Sequence, residues 1–315
     1  MSAPTVAIDL SVVVMAPMAG ETAVLTLQPG GDGVAGLPSG PFDPQSHRTF
    51  ELALRDFVTR QTGLDMGFVE QLYTFGDAGR ETPQVRAGTE TGERIVSVGY
   101  LALAPTAVET VDFRAAWKPW QLFFPYEDWR RVRPPVIDQI ISPALYDWAG
   151  SDEARLARAR SLFALNAEDN WRDERVLERY ELLYEAGLTI ESNRDRAHPQ
   201  FPGGNAVGQP LQMDHRRILA TGLGRLRGKL RYRPVIFDLL PEEFTLSQLQ
   251  RAVESVTGQP MHKQNFRRSI ERTALVERTG RIDAATGGRP AELFRYRPAA
   301  ASEAPALGLT LPIQR

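Results

Sequence analysis

Two stretches of this sequence place side chains where they could do chemistry. The first is residues 48–63, where Arg48, Glu51, Arg55, Asp56, Arg60 and Gln61 fall within one helical pattern. Metal-assisted pyrophosphate hydrolysis needs several carboxylates on one helix face, because the divalent cations that neutralise phosphate and activate water take hard oxygen ligands. Here only Glu51 and Asp56 are available, with arginines interleaved. The second stretch is residues 261–273. Phe266 and Ile270, four apart, define an inner helix face. At about 100° per residue, the outer face carries Gln264, Asn265, Arg268 and Glu271, with Lys263, Arg267 and Arg272 flanking or on it. Amides and guanidinia presented this way match the edges of adenine and guanine in a major groove. Cysteine is absent, and the four histidines (His47, His198, His215, His262) are scattered with no HExxH spacing. A thiolate zinc site and a cysteine nucleophile are excluded, and neither a metal site nor a catalytic residue is expected.

The elements that must position these groups follow from hydrophobic period and turn chemistry. Residues 6–16 and 22–28 are β-branched apolar runs separated by Gly20-Glu21, which predicts a hairpin. A Gly- and Pro-rich loop (29–44) leads into a helix over 49–62, closed by Gly63 in the left-handed position where glycine costs nothing. Strands are expected at 68–75 and 94–104. An aromatic cluster (Phe113, Trp117, Trp120, Phe123, Phe124, Tyr126, Trp129) opens a different region, with helices expected at 135–148, 152–165 and 171–186 and a loop over 193–209. Aromatics at this density read as core. A base-stacking platform is the sharper alternative. An amphipathic helix spans 213–230.

Near the C-terminus, Thr245-Leu246-Ser247-Gln248 has the form of a capping box, and Leu249, Ala252, Val253 and Val256 supply the buried face of the helix it starts. Gly258-Gln259-Pro260 turns the chain into the helix over 261–273. Strands at 274–277 and 292–297 then enclose a flexible loop with Arg281 and Arg289 near its ends, the form of a winged-helix wing. An arginine at a wing tip can enter a minor groove, where negative potential is focused.

Charge supports a polyanionic partner. The chain of 315 residues has a net charge of −2, but residues 211–298 hold 17 Lys and Arg against 9 Asp and Glu, and the remainder holds 20 against 30. A basic module on an acidic body fits double-stranded DNA. The longest early apolar run, 10–19, is too short to span a bilayer and lacks a basic flank, so no membrane association and a cytoplasmic location are expected.

Taken together, the motifs resemble the Nudix-related transcriptional regulators of NAD metabolism, the NrtR family. The carrying segments are Leu37-Pro38-Ser39-Gly40, the run from Glu70 to Arg80, Met213-Asp214-His215, Arg225-Leu226-Arg227-Gly228-Lys229-Leu230 and the run from Leu239 to Leu246. Asn265-Phe266-Arg267-Arg268 and Gly288-Arg289-Pro290-Ala291 complete them. The extra helical stretch, with Trp171 and the run from Arg179 to Leu188, resembles the longer NadQ type. The resemblance implies an α+β chain: a degenerate Nudix-like α/β/α effector domain (1–110), a helical insertion packed on it (111–210), a linker helix with a C-terminal winged helix-turn-helix (211–298), and a tail (299–315). It implies a homodimeric repressor of NAD biosynthesis genes that binds an operator and senses ADP-ribose, ATP or NAD, with Arg80 as the candidate phosphate-binding residue.

The alternative is a Nudix hydrolase, an ADP-ribose pyrophosphatase with an appended nucleic-acid module. Against it, anchoring the Nudix pattern on Gly63 puts Arg60-Gln61 where the paired glutamates belong, and the neighbouring register puts Thr59-Arg60 there. An arginine in a metal position repels the cation. The expected DNA-binding residues are Lys263, Gln264, Asn265, Arg267, Arg268, Arg272, Arg281 and Arg289.

Overall fold

The computed structural model describes residues 6–28, 33–64, 66–77, 94–107, 114–166, 168–196, 201–283 and 290–298. Its first element is the expected hairpin of β1 (Val6–Met18) and β2 (Glu21–Leu27). Met18 pairs with Glu21, so the loop is the two residues Ala19 and Gly20, both with positive φ (50° and 85°). That is the turn whose twist suits a hairpin, and the glycine makes it inexpensive.

β1 is the centre of a six-stranded sheet. It pairs in parallel with β5 (Arg94–Leu103) over ten positions and antiparallel with the short β3 (Ser39–Pro41). β4 (Phe68–Phe75) forms one edge, and β6 (Ala115–Pro119), paired with β2, forms the other. Leu10, Val12, Val14 and Ala16 pack against α1 (Phe50–Thr62) through Ala53, Leu54, Phe57 and Val58. Val13 and Met15 point to the opposite core, shared with Ile218 and Leu219 of α6 (His215–Leu230). A strand buried on both faces explains the unbroken apolar run Val12-Val13-Val14-Met15-Ala16. Gly222 lets α6 lie directly on β1: a Cβ there would come within 3.1 Å of Val13.

The boundaries of this α/β/α sandwich therefore differ from the expected ones. The sheet continues past 110 through β6, and α6, expected as a linker to the DNA module, is the second helical layer. The helical region is an insertion between those two elements. It holds α2 (Ser142–Ala149, continuing a π turn over Ile137–Ile141), α3 (Glu153–Phe163), α4 (Val176–Glu185) and a short α5 (Ile190–Arg196). The last occupies part of the segment expected to be loop. Thr189 starts it by accepting from the backbone N–H of Ser192 (3.1 Å). Among the described aromatics of the cluster, Trp120, Phe123, Phe124 and Tyr126 are fully enclosed. These four are core and offer no face to a base, while Trp117 and Trp129 are half-buried. Phe113 lies outside the described residues.

A buried ionic cluster ties the insertion to α6. Glu127 accepts from Arg179 Nε (2.5 Å) and Nη2 (3.0 Å) and from Arg227 Nη1 (2.6 Å), and all three side chains are sealed from solvent. The ring of Trp171 covers the Arg179 guanidinium at 3.8 Å, and Trp120 covers that of Arg227 at 4.9 Å. Among the described residues, no helix is long and apolar enough to cross a membrane.

Candidate functional site

Two places gather groups that can bind a ligand. The first is the C-terminal module. Thr245 Oγ1 accepts from the N–H of Gln248 (3.2 Å) while Gln248 Oε1 accepts from the N–H of Thr245 (2.6 Å), the reciprocal cap anticipated from sequence. It starts α7 (Leu246–Thr257), which buries Leu249, Val253 and Val256. Gly258 ends α7 at φ 68°; a Cβ there would collide with the Glu127 carbonyl at 2.3 Å, so only glycine permits this approach to the insertion.

The second helix, α8 (Lys263–Thr273), turns Phe266, Ile270 and Thr273 inward. It leaves Lys263, Gln264, Asn265, Arg267, Arg268, Glu271 and Arg272 in solvent. Among the described residues none of its four cations is paired with a carboxylate. Its first turn has no side-chain cap, so backbone N–H groups and the positive end of the helix dipole face outward. That arrangement is suited to phosphate.

A three-stranded sheet backs these helices, in the order β7 (Glu243–Thr245), β9 (Ala291–Tyr296), β8 (Val276–Asp283). β8 is longer than expected. Gly280, which falls within the expected loop, sits at φ 75° in a bulge between Arg278 and Ile282, and pairing resumes beyond it. Arg281 therefore lies on a strand rather than on a loop, held 3.0 Å from Glu243. Arg278, Arg295 and Arg297 of the same sheet are also matched, to Glu292, Glu277 and Glu277. Arg289 lies outside the described residues. The module thus neutralises its sheet and leaves the cations of α8 open.

The second place is a cleft of about 600 Å³ between β3 and α1, lined by Ser39, Gly40, His47, Asp56, Gln61 and Arg114 among others. A smaller recess of about 210 Å³ shares Ser39, Gln61 and Arg114 and is closed by Gly36, Leu37 and Gln212. Gly63 closes the helix at φ 72°, as anticipated, and Thr49, expected as its first residue, is its cap. Its carboxylates are committed to cations. Glu51 pairs with Arg55 (2.9 Å) and Asp56 with Arg60 (2.7 Å), and Asp56 also lies in hydrogen-bond contact with His47 Nε2 (3.2 Å). Among the described residues no group of three or more acidic or histidine side chains could hold a metal. Gln61 donates to the Ser39 carbonyl (2.9 Å), while its Oε1 and His47 Nδ1 are enclosed without a partner among the described residues. Polar atoms left this way favour a ligand that can hydrogen-bond.

The wall of the recess rests on His215, the first residue of α6. Its Nδ1 accepts from the Leu37 N–H at 3.0 Å, which fixes the neutral tautomer, and Nε2 faces Ser11 Oγ at 3.5 Å. Burial, assisted by the Arg194 charge, pushes the imidazole pKa down to about 4. On the other side of Ser11, burial raises the Asp9 carboxyl to about 7, against the opposing effect of the Ser11 hydroxyl it accepts from (3.2 Å). Sequence reasoning missed the cleft residues His47, Arg60 and Arg114 as ligand candidates. Arg60 had been read only as a cation in a metal position, and no local pattern marks Arg114. Arg80, the residue singled out for phosphate, lies outside the described residues.

The fold and the two sites define a Nudix-like α/β/α domain joined to a winged helix that presents a cationic recognition helix. Comparison with known proteins specifies the class further. Residues 236–296 match the family model described as the NrtR DNA-binding winged helix domain. A curated relative, the ADPR responsive transcriptional repressor NtrR of Acinetobacter baylyi, is 37% identical over 91 residues, which is 29% of this chain and 36% of that protein. The crystal structure of Shewanella oneidensis NrtR complexed with a 27mer DNA aligns with a TM-score of 0.53 at 20% identity, covering 94% of this chain and 95% of that one. A MutT/nudix family protein from Enterococcus faecalis aligns at 0.53 with 13% identity, over 94% and 88%. Residues 236–296 thus form a winged helix of the NrtR type, and the fold as a whole is similar to that of the Shewanella protein, with the helical insertion between the last sheet strand and α6.

Proposed function

We propose that this chain is a DNA-binding transcriptional repressor of NAD metabolism genes that senses an adenine nucleotide, ADP-ribose first, through a Nudix-like domain without hydrolytic activity. The observation that carries the reading is α8: a recognition helix on an NrtR-type winged helix, with two amides and four unneutralised cations on its open face. ADP-ribose is favoured over ATP and NAD because the Acinetobacter relative is named as ADPR responsive. The β3–α1 cleft is the candidate pocket, with Arg60 and Arg114 near enough to meet phosphates and His47 and Gln61 to meet polar groups. The repressor acts as a homodimer in the cytoplasm, since helix-turn-helix readers bind paired half-sites.

Nucleotide and DNA sites are joined by one element. α6 has 16 residues, roughly 24 Å of helix. His215 at its start supports the wall of the recess that adjoins the cleft, and Arg227 near its end donates Nε to the Val256 carbonyl (2.9 Å) in the last turn of α7. A shift of the wall on nucleotide binding thereby reaches the helix that precedes α8. The test is a gel shift with promoter DNA titrated with ADP-ribose, ATP and NAD. ADP-ribose is expected to displace the midpoint of DNA binding at concentrations where ATP and NAD do not. No displacement by any of the three would refute the sensor.

The hydrolase alternative makes the opposite prediction about chemistry. With Glu51 and Asp56 each bound to an arginine, incubation with ADP-ribose or NADH and magnesium or manganese is expected to give no turnover above a control without protein. Turnover that disappears on adding EDTA would restore the enzyme reading.

A further inference from the structure

The helical insertion contributes a structure that the winged helix alone would lack. Residues 128–133 run past the turn between α7 and α8, and the backbone N–H of Trp129 donates to the Gly258 carbonyl at 2.7 Å. Three arginines fall in this segment, and two of them fasten it. Arg130 forms a forked pair with Asp128 (2.8 and 2.7 Å) and reaches Glu21 at the start of β2 (2.7 Å). Arg133 binds Asp138 (3.0 Å) and the carbonyls of Phe163 and Ala164 at the end of α3 (3.3 and 3.0 Å). The Trp129 ring lies 4.6 Å from that of Trp171. The loop is held from four directions, by β2, α3, Trp171 and the helix-turn-helix turn.

Arg131 is treated differently. It is exposed, its neighbour Val132 is exposed too, and among the described residues no carboxylate neutralises it. We infer that Arg131 is a DNA-backbone contact supplied by the insertion, a phosphate clamp beside the recognition helix, and this rests on the DNA-binding reading above. When a helix-turn-helix docks, the start of its second helix enters the major groove. An exposed cation two residues from the bond that ties the segment to this turn is then placed within reach of the sugar–phosphate strand along the groove. Because the surrounding loop is already ordered, little freedom is lost on binding. A contact of this kind adds affinity and register without reading sequence.

The experiment uses the full chain and two fluorescein-labelled duplexes of equal length, one from the promoter upstream of its own gene and one scrambled, in anisotropy titrations over a range of salt. For each protomer bound, Arg131→Ala is expected to weaken both complexes by the same factor, roughly eightfold at 0.1 M salt, and to make the log–log salt slope shallower by about one unit. Arg131→Lys should restore most of the slope. Arg48→Ala, an equal change of net charge on the α1 side of the sheet, should leave both binding curves as in the parent. If Arg131→Ala matches the parent in affinity and slope while Lys263→Ala weakens both duplexes, the clamp is refuted and the winged-helix reading stands. If the parent itself binds neither duplex, the DNA-binding reading falls and the clamp with it.

Discussion

Replacing Glu127 with alanine is expected to destabilise the folded chain by about 3–5 kcal/mol, because it leaves buried guanidinium groups without their anion. Glu127 is the carboxylate between Arg179 and Arg227, and none of the three reaches solvent. The remaining hydrogen-bond acceptors on the two guanidinium groups are backbone carbonyls: Arg172, Leu162 and Asp173 for Arg179, Val256 and Asp173 for Arg227. These accept hydrogen bonds but carry no full charge. Burial already opposes ionisation of Arg227, and the Glu127 charge, seconded by that of Asp173, acts against that cost. Glu127→Gln keeps an acceptor and should lose less. Denaturant titration followed by circular dichroism measures the change, and a midpoint equal to that of the parent would contradict it. The effect should also reach the DNA module, since Arg227 holds the last turn of α7 and Trp129 holds Gly258.

That cluster was invisible in the sequence. Glu127, Arg179 and Arg227 are separated by about fifty residues at each step, and each looks locally like a solvated charge on a helix or turn. Only the packing of the insertion onto α6 brings them together. The same non-locality hid the role of α6. Its apolar stripe marked it as amphipathic but did not say which surface it would cover, although the two-sided burial implied by the β1 run required a second layer. Arg281 was misplaced for a different reason. Gly280 carries the same signal in a bulge as in a turn, and only strand pairing past it decides between them. What could be read in advance was governed by short-range rules: the β1–β2 hairpin, the Thr49 and Gly63 ends of α1, the Thr245–Gln248 cap and the Phe266–Ile270 inner face of α8. The candidate DNA-reading face was therefore legible almost residue by residue. The nucleotide cleft was not, because Arg114 joins it from another strand and Arg60 had been weighed only against a metal.

The second large effect concerns base reading. Arg268 stands on the open face of α8 beside Gln264 and Asn265, with no carboxylate partner among the described residues. A bidentate guanidinium–guanine pair contributes about 1–3 kcal/mol of discrimination, so Arg268→Ala should lose that much affinity for the operator and little for unrelated DNA. Lys263, Arg267 and Arg272 are placed to meet phosphates, and loss of any one should weaken both complexes alike. The most direct measurement is fluorescence anisotropy of parent and Arg268→Ala on promoter and scrambled duplexes. The predicted result is a parent that prefers the promoter and a variant whose preference has collapsed while its scrambled-DNA curve is unchanged. A variant that distinguishes the two duplexes as well as the parent does would show that α8 does not read sequence, and would contradict the account.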